Sequence, residues 1–150
     1  MPHSHADLLI HAIFSTKDRQ PLLQGDLPPR LFPYMCKIAQ RYGGRIHIID
    51  GASDHVHLLI SIPTDRSLAE MMRVVKCNSS RWVRQEFPER RDFGWQQGYA
   101  AFSVSHSKRQ AVYEYIAKQD EHHRVHSFQE EFIAILRKHR IEYDERYIWS

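Results

Sequence analysis

The apolar residues of this chain switch between the two-residue period of a strand and the roughly 3.6-residue period of a helix in a set order, which restricts the fold more than any other feature. Ala6 to Ser15 is rich in Leu, Ile and Phe and reads as a strand, followed by a loop through Lys17, Arg19, Pro21 and Gly25. A helix is expected from Pro28 and Pro29, because proline suits a first helical turn, to Gly43 and Gly44, with Leu31, Met35, Ile38 and Ala39 on its core stripe. Arg45 to Ile49 and His55 to Ile62 are strands, and the Asp50, Gly51, Ala52, Ser53 and Asp54 between them carry hairpin-turn chemistry. After Pro63, residues Leu68, Met71, Met72, Val75, Ser79, Trp82 and Val83 recur at helical spacing behind a capping box of Ser67 and Glu70. Tyr99 to Val104 is a fourth strand. Ser107 with Gln110, and Ser127 with Glu130, repeat the capping-box spacing and predict two more helices. The first runs from Lys108 to about Gln119, and the second presents Phe128, Phe132, Ile135 and Leu136 as one apolar face.

In order, these elements are β-α-β-β-α-β with two added helices, an α+β ferredoxin-like arrangement. One antiparallel sheet should carry two helices on one face and leave the other for a ligand or the added helices. A chain of 150 residues suits a single domain over 1–150. Its 21 basic and 18 acidic residues leave a charge of only +3, too little to argue for nucleic acid by bulk charge. Two cysteines, Cys36 and Cys77, do not make a secreted disulfide framework, so a reducing cytoplasm is expected. No leader opens the chain and the longest apolar runs, such as Val56 to Ile62, are too short to cross a bilayer, so no membrane association is expected.

The residues that carry chemistry begin with Asp54-His55-Val56-His57-Leu58-Leu59-Ile60. Alternation along a strand puts His55 and His57 on one face, near enough to share a metal ion, and Val56, Leu58 and Ile60 in the core. The plain alternative is two half-exposed histidines with ordinary hydrogen bonds. In Tyr113-Glu114-Tyr115-Ile116-Ala117-Lys118-Gln119, Tyr115 and Gln119 stand four apart and share a helical face. That spacing presents a tyrosine nucleophile beside an amide oxygen able to bind a cation; equally, Val112, Tyr115, Ile116 and Gln119 are a packing stripe. Lys76, Arg81 and Arg84, with Arg90 and Arg91, form a basic cluster beside Trp82 and Trp95. Lys76 and Arg81 are its candidate phosphate contacts, against the simpler reading of a solvated helix face.

The order of these motifs carries a resemblance. A hairpin-borne DHVHLLI is followed by Val75-Lys76-Cys77-Asn78-Ser79-Ser80-Arg81, then Trp95-Gln96-Gln97-Gly98-Tyr99, then Tyr115-Ile116-Ala117-Lys118-Gln119 with His122-His123. The chain resembles the IS200/IS605 family of single-tyrosine transposases, within the HUH endonucleases, from Phe14-Ser15-Thr16-Lys17 to Glu142-Tyr143-Asp144-Glu145-Arg146-Tyr147. It departs at Cys77, where the family pattern has a small residue, usually glycine. The resemblance implies that His55 and His57 are paired metal ligands, Gln119 the third and Tyr115 the nucleophile. It also implies DNA transposition through cleavage and rejoining of single-stranded DNA, with a 5′-phosphotyrosine intermediate, Mg2+ or Mn2+ as cofactor, hairpin-bearing DNA as partner and a homodimer. In such a dimer the tyrosine helix can sit against the partner's histidines, with a hinge at Ser105 to Lys108 or after Gln119. Two rivals share the same evidence: a relaxase-like or domesticated, non-mobile nicking protein, and a non-catalytic RNA-recognition-like module that binds single strands on an open sheet face.

Overall fold

A computed structural model of the chain describes residues 5–119, 127–144 and 148. Strands β1 (Leu9–Ser15), β2 (Arg45–Gly51), β3 (His55–Ser61) and β4 (Ala100–Ser103) form one antiparallel sheet in the order β2-β3-β1-β4. Helices α1 (Leu27–Arg41) and α2 (Leu68–Glu86) make the two crossovers, and α3 (Arg109–Ala117) and α4 (Phe128–Lys138) follow the sheet. This is the α+β, β-α-β-β-α-β order expected from the periodicities. Among the described residues, no helix is long and apolar enough to cross a membrane.

The pleat divides each strand between two faces. On one, Ala12, Phe14, Val56, Leu58 and Ile60 pack with Leu31, Met35 and Ile38 of α1 and Met71, Met72 and Val75 of α2 in the main core. On the other, Ile13, Ala100 and Phe102 meet Phe128, Phe132 and Leu136 of α4, while Leu9 and Leu59 meet Ile116 of α3. The sheet is thus covered on both sides, and the face an RNA-recognition module would leave open lies under α3 and α4. Gly43, at φ 83, ends α1 in a left-handed conformation that favours glycine. Gly51 lets the hairpin close next to the histidines, because a Cβ there would lie 2.1 Å from the carbonyl oxygen of His55.

Ser67 caps α2 by accepting from the Glu70 N–H at 3.0 Å, and Ser127 caps α4 by accepting from the Glu130 N–H at 3.2 Å. The third expected cap, Ser107, is not formed. Its hydroxyl pairs with Ser105 Oγ at 3.1 Å within a 3-10 turn, His106–Lys108, and α3 begins one residue later with Lys108 in the cap position and no side-chain bond. A 3-10 turn there satisfies the entering backbone through Lys108 N–H and the Ser105 carbonyl at 2.9 Å, so the hydroxyl is not needed. The expected helix is also shorter than predicted: α3 ends at Ala117, and Gln119 lies beyond its C-cap, Lys118. The hinge position after Gln119, and His122 and His123, lie outside the described residues.

Candidate active site

The middle strand β3 turns His55 and His57 toward α3 and α4, and both rings are fully buried rather than half-exposed. They do not enter the core under α1 and α2, which takes the alternate residues Val56 and Leu58. Each ring has a second partner that orients it. His55 Nδ1 lies 2.8 Å from Asp54 Oδ1, and its ring stacks on Phe128 with centroids 4.2 Å apart. His57 Nδ1 lies 2.9 Å from Nε2 of His11, a residue of β1 that the sequence analysis passed over.

Facing the imidazoles is a carboxylate that the sequence analysis also missed. Glu131 of α4 is buried, with Oε1 2.9 Å from His57 Nε2 and 3.5 Å from His55 Nε2. Its other oxygen, Oε2, accepts the Tyr115 hydroxyl at 2.5 Å. Glu131 falls three residues after Phe128 and one before Phe132, so it sits inside the stripe that buries α4. An acid in the middle of an apolar helical face was the signal in the sequence, since such a group needs a buried partner.

Tyr115 is brought in by α3, whose Ile116 packs on Leu9 and Leu59. Arg109, at the start of the same helix, donates to His47 Nδ1 at 3.1 Å, and His47 Nε2 lies 2.6 Å from Ser61 Oγ, which ties α3 to β2 and β3. Tyr115 and the packing residues therefore share one stripe, and both readings of this helix describe the same surface. Gln119 is fully buried, and its Nε2 donates to the Tyr115 carbonyl at 3.3 Å. The predicted residues His55, His57, Tyr115 and Gln119 thus converge on one region. The predicted phosphate contacts do not join them. Lys76 is buried against the other side of the sheet, donating to the carbonyls of Gln97 at 2.9 Å and Gly98 at 2.8 Å. Arg81 is exposed on α2 and donates to Asn78 Oδ1 at 3.0 Å.

The electrostatics follow from burial and pairing. Burial disfavours charge on Glu131, but hydrogen bonds from His55, His57 and Tyr115 outweigh it and hold the carboxyl well below its usual range. Burial likewise opposes charge on His55, yet its hydrogen bonds with Asp54 and Glu131 raise its pKa overall. For Tyr115, burial and then the hydrogen bond and charge of Glu131 push the phenol well above its ordinary value, against a smaller opposing effect of Gln119. Burial, aided by His57, lowers His11 to about 3, so this ring is neutral near pH 7.

Among the described residues, His55, His57 and Glu131 form a group whose possible ligand atoms all lie within 4.8 Å of one another. Two imidazole nitrogens and one carboxylate oxygen, with Asp54 and His11 on the far sides of the rings, fit the donor set and outer shell of a divalent cation site.

The family whose model matches this chain is described as Transposase IS200 like and covers residues 4–119. The chain is 26% identical over 114 residues to the ISDra2 transposase TnpA of Deinococcus radiodurans, spanning 73% of this chain and 81% of that protein. It is 24% identical over 110 residues to the transposase for insertion sequence element IS200 of Salmonella typhimurium, spanning 69% and 72%. Among solved structures, a proposed transposase from Deinococcus radiodurans superposes with a TM-score of 0.64 at 24% identity, over 79% of this chain and 98% of that one. A REP-associated tyrosine transposase bound to a REP hairpin superposes with a TM-score of 0.60 at 13% identity, over 82% and 74%. The two superpositions establish a shared fold.

Proposed function

The chain belongs to the IS200-like transposase family, which matches it over residues 4–119, and on that footing we propose that it cleaves and rejoins single-stranded DNA through a covalent bond to Tyr115. One observation carries this reading. Glu131 joins the phenol to the histidine pair, with Oε2 2.5 Å from the Tyr115 hydroxyl and Oε1 2.9 Å from His57 Nε2. A nucleophile and a cation-type donor set therefore share one buried carboxylate.

In this reading His55, His57 and Glu131 hold a divalent ion, Mg2+ or Mn2+, and Gln119, whose nitrogen donates to the Tyr115 carbonyl, adds its amide oxygen as a further ligand. Such an ion supplies Lewis-acid stabilisation of the charge that gathers on the scissile phosphate. The protein's own residues position the nucleophile. Packing of Ile116 and the Arg109–His47 contact hold α3 on the sheet, and the hydrogen bond to Glu131 fixes the direction of the hydroxyl. While Glu131 keeps its full negative charge, the phenol donates to Oε2 and keeps its proton, so the nucleophile stays masked. Drawing that charge off the carboxylate lowers the phenol pKa, because Glu131 is the source of two of the effects that raise it. Attack then forms the Tyr115 O–P bond as the bond from phosphorus to the 3′ oxygen breaks; the phenol gives up its proton and the departing 3′ oxygen takes one up, leaving a 5′-phosphotyrosine and a free 3′ hydroxyl.

The substrate in this reading is single-stranded DNA with hairpin ends, in keeping with the REP hairpin bound to the structurally similar protein. A homodimer remains part of the proposal, with Tyr115 lying edge-on to His57 of its own chain at 5.8 Å between ring centroids. The test is incubation with a labelled hairpin-bearing strand and Mn2+, followed by a denaturing gel. The wild type and Tyr113→Phe are expected to carry DNA, Tyr115→Phe to carry none, and a chelator to stop cutting without stopping binding. An adduct that survives Tyr115→Phe and disappears in Tyr113→Phe would move the nucleophile by two residues, and efficient cutting in a chelator would remove the metal.

A further inference from the structure

We propose that His11 is a positioning residue for His57: when a cation is bound, His11 accepts a hydrogen bond at Nε2 and holds His57 in the Nδ1–H tautomer, whereas the 2.9 Å contact of His57 Nε2 with Glu131 corresponds to the opposite pair of tautomers. The inference rests on the reading that His55, His57 and Glu131 hold a divalent ion.

A neutral imidazole has one N–H and one lone pair, so Nε2 can bind a cation only when Nδ1 carries the proton. What sits next to Nδ1 therefore decides whether the ring can act as a ligand. For His55 that partner is the Asp54 carboxylate at 2.8 Å. An ionised carboxylate only accepts, so it keeps a proton on His55 Nδ1, the arrangement in which Nε2 faces Glu131 and the cation position. For His57 the corresponding partner is another imidazole, with His11 Nε2 2.9 Å away.

An imidazole can accept or donate, which makes the two tautomers interlocked. If His11 carries its proton on Nε2, it donates to His57 Nδ1, and the His57 proton must then sit on Nε2, pointing at Glu131. If His11 carries its proton on Nδ1, its Nε2 accepts, His57 takes the Nδ1–H form, and His57 Nε2 is available. Ligation at His57 thus requires a particular state of a residue on a different strand. The packing limits its freedom to tilt away. The His11 ring is only 7% exposed, stacks on His57 at 5.1 Å with an interplanar angle of 28°, and meets Tyr115 edge-on at 6.2 Å. The same ring therefore borders both the ligand and the nucleophile, while it reaches the cation position only through His57.

The test uses the full chain without DNA. Mn2+ binding is titrated for the wild type, for His11→Phe, which keeps the stacked ring without an acceptor, and for His11→Gln, whose amide oxygen can stand in for Nε2. The expectation is that His11→Phe binds about 10- to 100-fold more weakly and that His11→Gln recovers to within about threefold of wild type. In the Zn2+-loaded wild type, 15N spectra of the histidines should show His57 protonated at Nδ1. Wild-type affinity in His11→Phe, equal losses in Phe and Gln, no measurable ion binding by the wild type, or a His57 protonated at Nε2 when Zn2+ is bound would each overturn the inference. If His11→Phe does not fold by circular dichroism, the wild-type spectra decide alone. Failure of the strand-transfer reading appears separately, as absence of a Tyr115 adduct in a protein that still binds Mn2+.

Discussion

The two faces of the sheet are built from alternate residues of the same strands, and among the described residues only one of them places strand histidines among its apolar side chains. Toward α1 and α2, β1 and β3 contribute Ala12, Phe14, Val56, Leu58 and Ile60, all wholly buried and apolar. Toward α3 and α4 the same strands contribute His11, His55 and His57, equally shut off from water but joined in a hydrogen-bonded network that ends at Glu131 and Tyr115. Among the described residues each face contains one buried charged side chain from a helix, and their treatment differs. Lys76 on the first face satisfies its ammonium with two main-chain carbonyls and lies near the rings of Phe14 and Tyr99. Glu131 on the second is bonded to ionisable side chains, whose protons can be redistributed. Burial by itself does not distinguish a core from a reactive site; what matters is whether the buried polar atoms end on fixed dipoles or on groups that can change state.

This contrast can be broken most severely at Phe14. Phe14→Ala empties a fully buried site that packs edge-on against Trp95, and about 3–5 kcal/mol of stability should be lost in denaturant melts. A loss near zero would mean that the face toward α1 and α2 is not the main source of stability. At Glu131 a smaller effect is expected: Glu131→Gln should cost about 1–3 kcal/mol at neutral pH, because an amide cannot accept from both rings and the phenol as the carboxylate does. Here the folded-state pKa is depressed, so the carboxylate's contribution is complete above its unfolded value, roughly 4.3, and fades as pH falls toward the folded one. Below roughly pH 4 the gap between wild type and variant should therefore narrow, and a gap that keeps widening there would contradict the network.

The mildest change concerns Lys76, whose ammonium is pushed by burial down to about 8 from 10.5. Between those values the unfolded chain binds the extra proton, so stability should rise with pH, on the order of 1 kcal/mol by roughly pH 9, relative to Lys76→Met. A flat difference over that range would show that the two carbonyls fully offset desolvation. In that case the buried charges of the two faces would be more alike than the geometry suggests.

Much of this arrangement is legible in the chain. Helical spacing found α1 and α2 with their stripes of Leu31, Met35, Ile38, Met71, Met72 and Val75, and alternation put His55 and His57 on the side away from Val56 and Leu58. The spacing of Tyr115 and Gln119 kept them together, although Gln119 falls past the end of the helix and turns back to the tyrosine. Other features were not legible. Glu131 showed only as an acid inside an apolar helical stripe with no partner named, and His11 as a single polar residue in an apolar strand; Lys76 belonged to a basic cluster and gave no hint that it would be buried on carbonyls.

Sequence alone determined the periods, and with them the strands, the crossover helices and the face each side chain takes, because these follow from backbone geometry within a few residues. Tertiary structure alone decided which polar groups meet. The contact of His57 with His11 spans 46 residues and that with Glu131 spans 74, and both exist only because β1 pairs beside β3 and α4 returns over the sheet. Local spacing carries no information about such returns, so the chain shows which side chains are available for chemistry and the fold decides which of them share a proton.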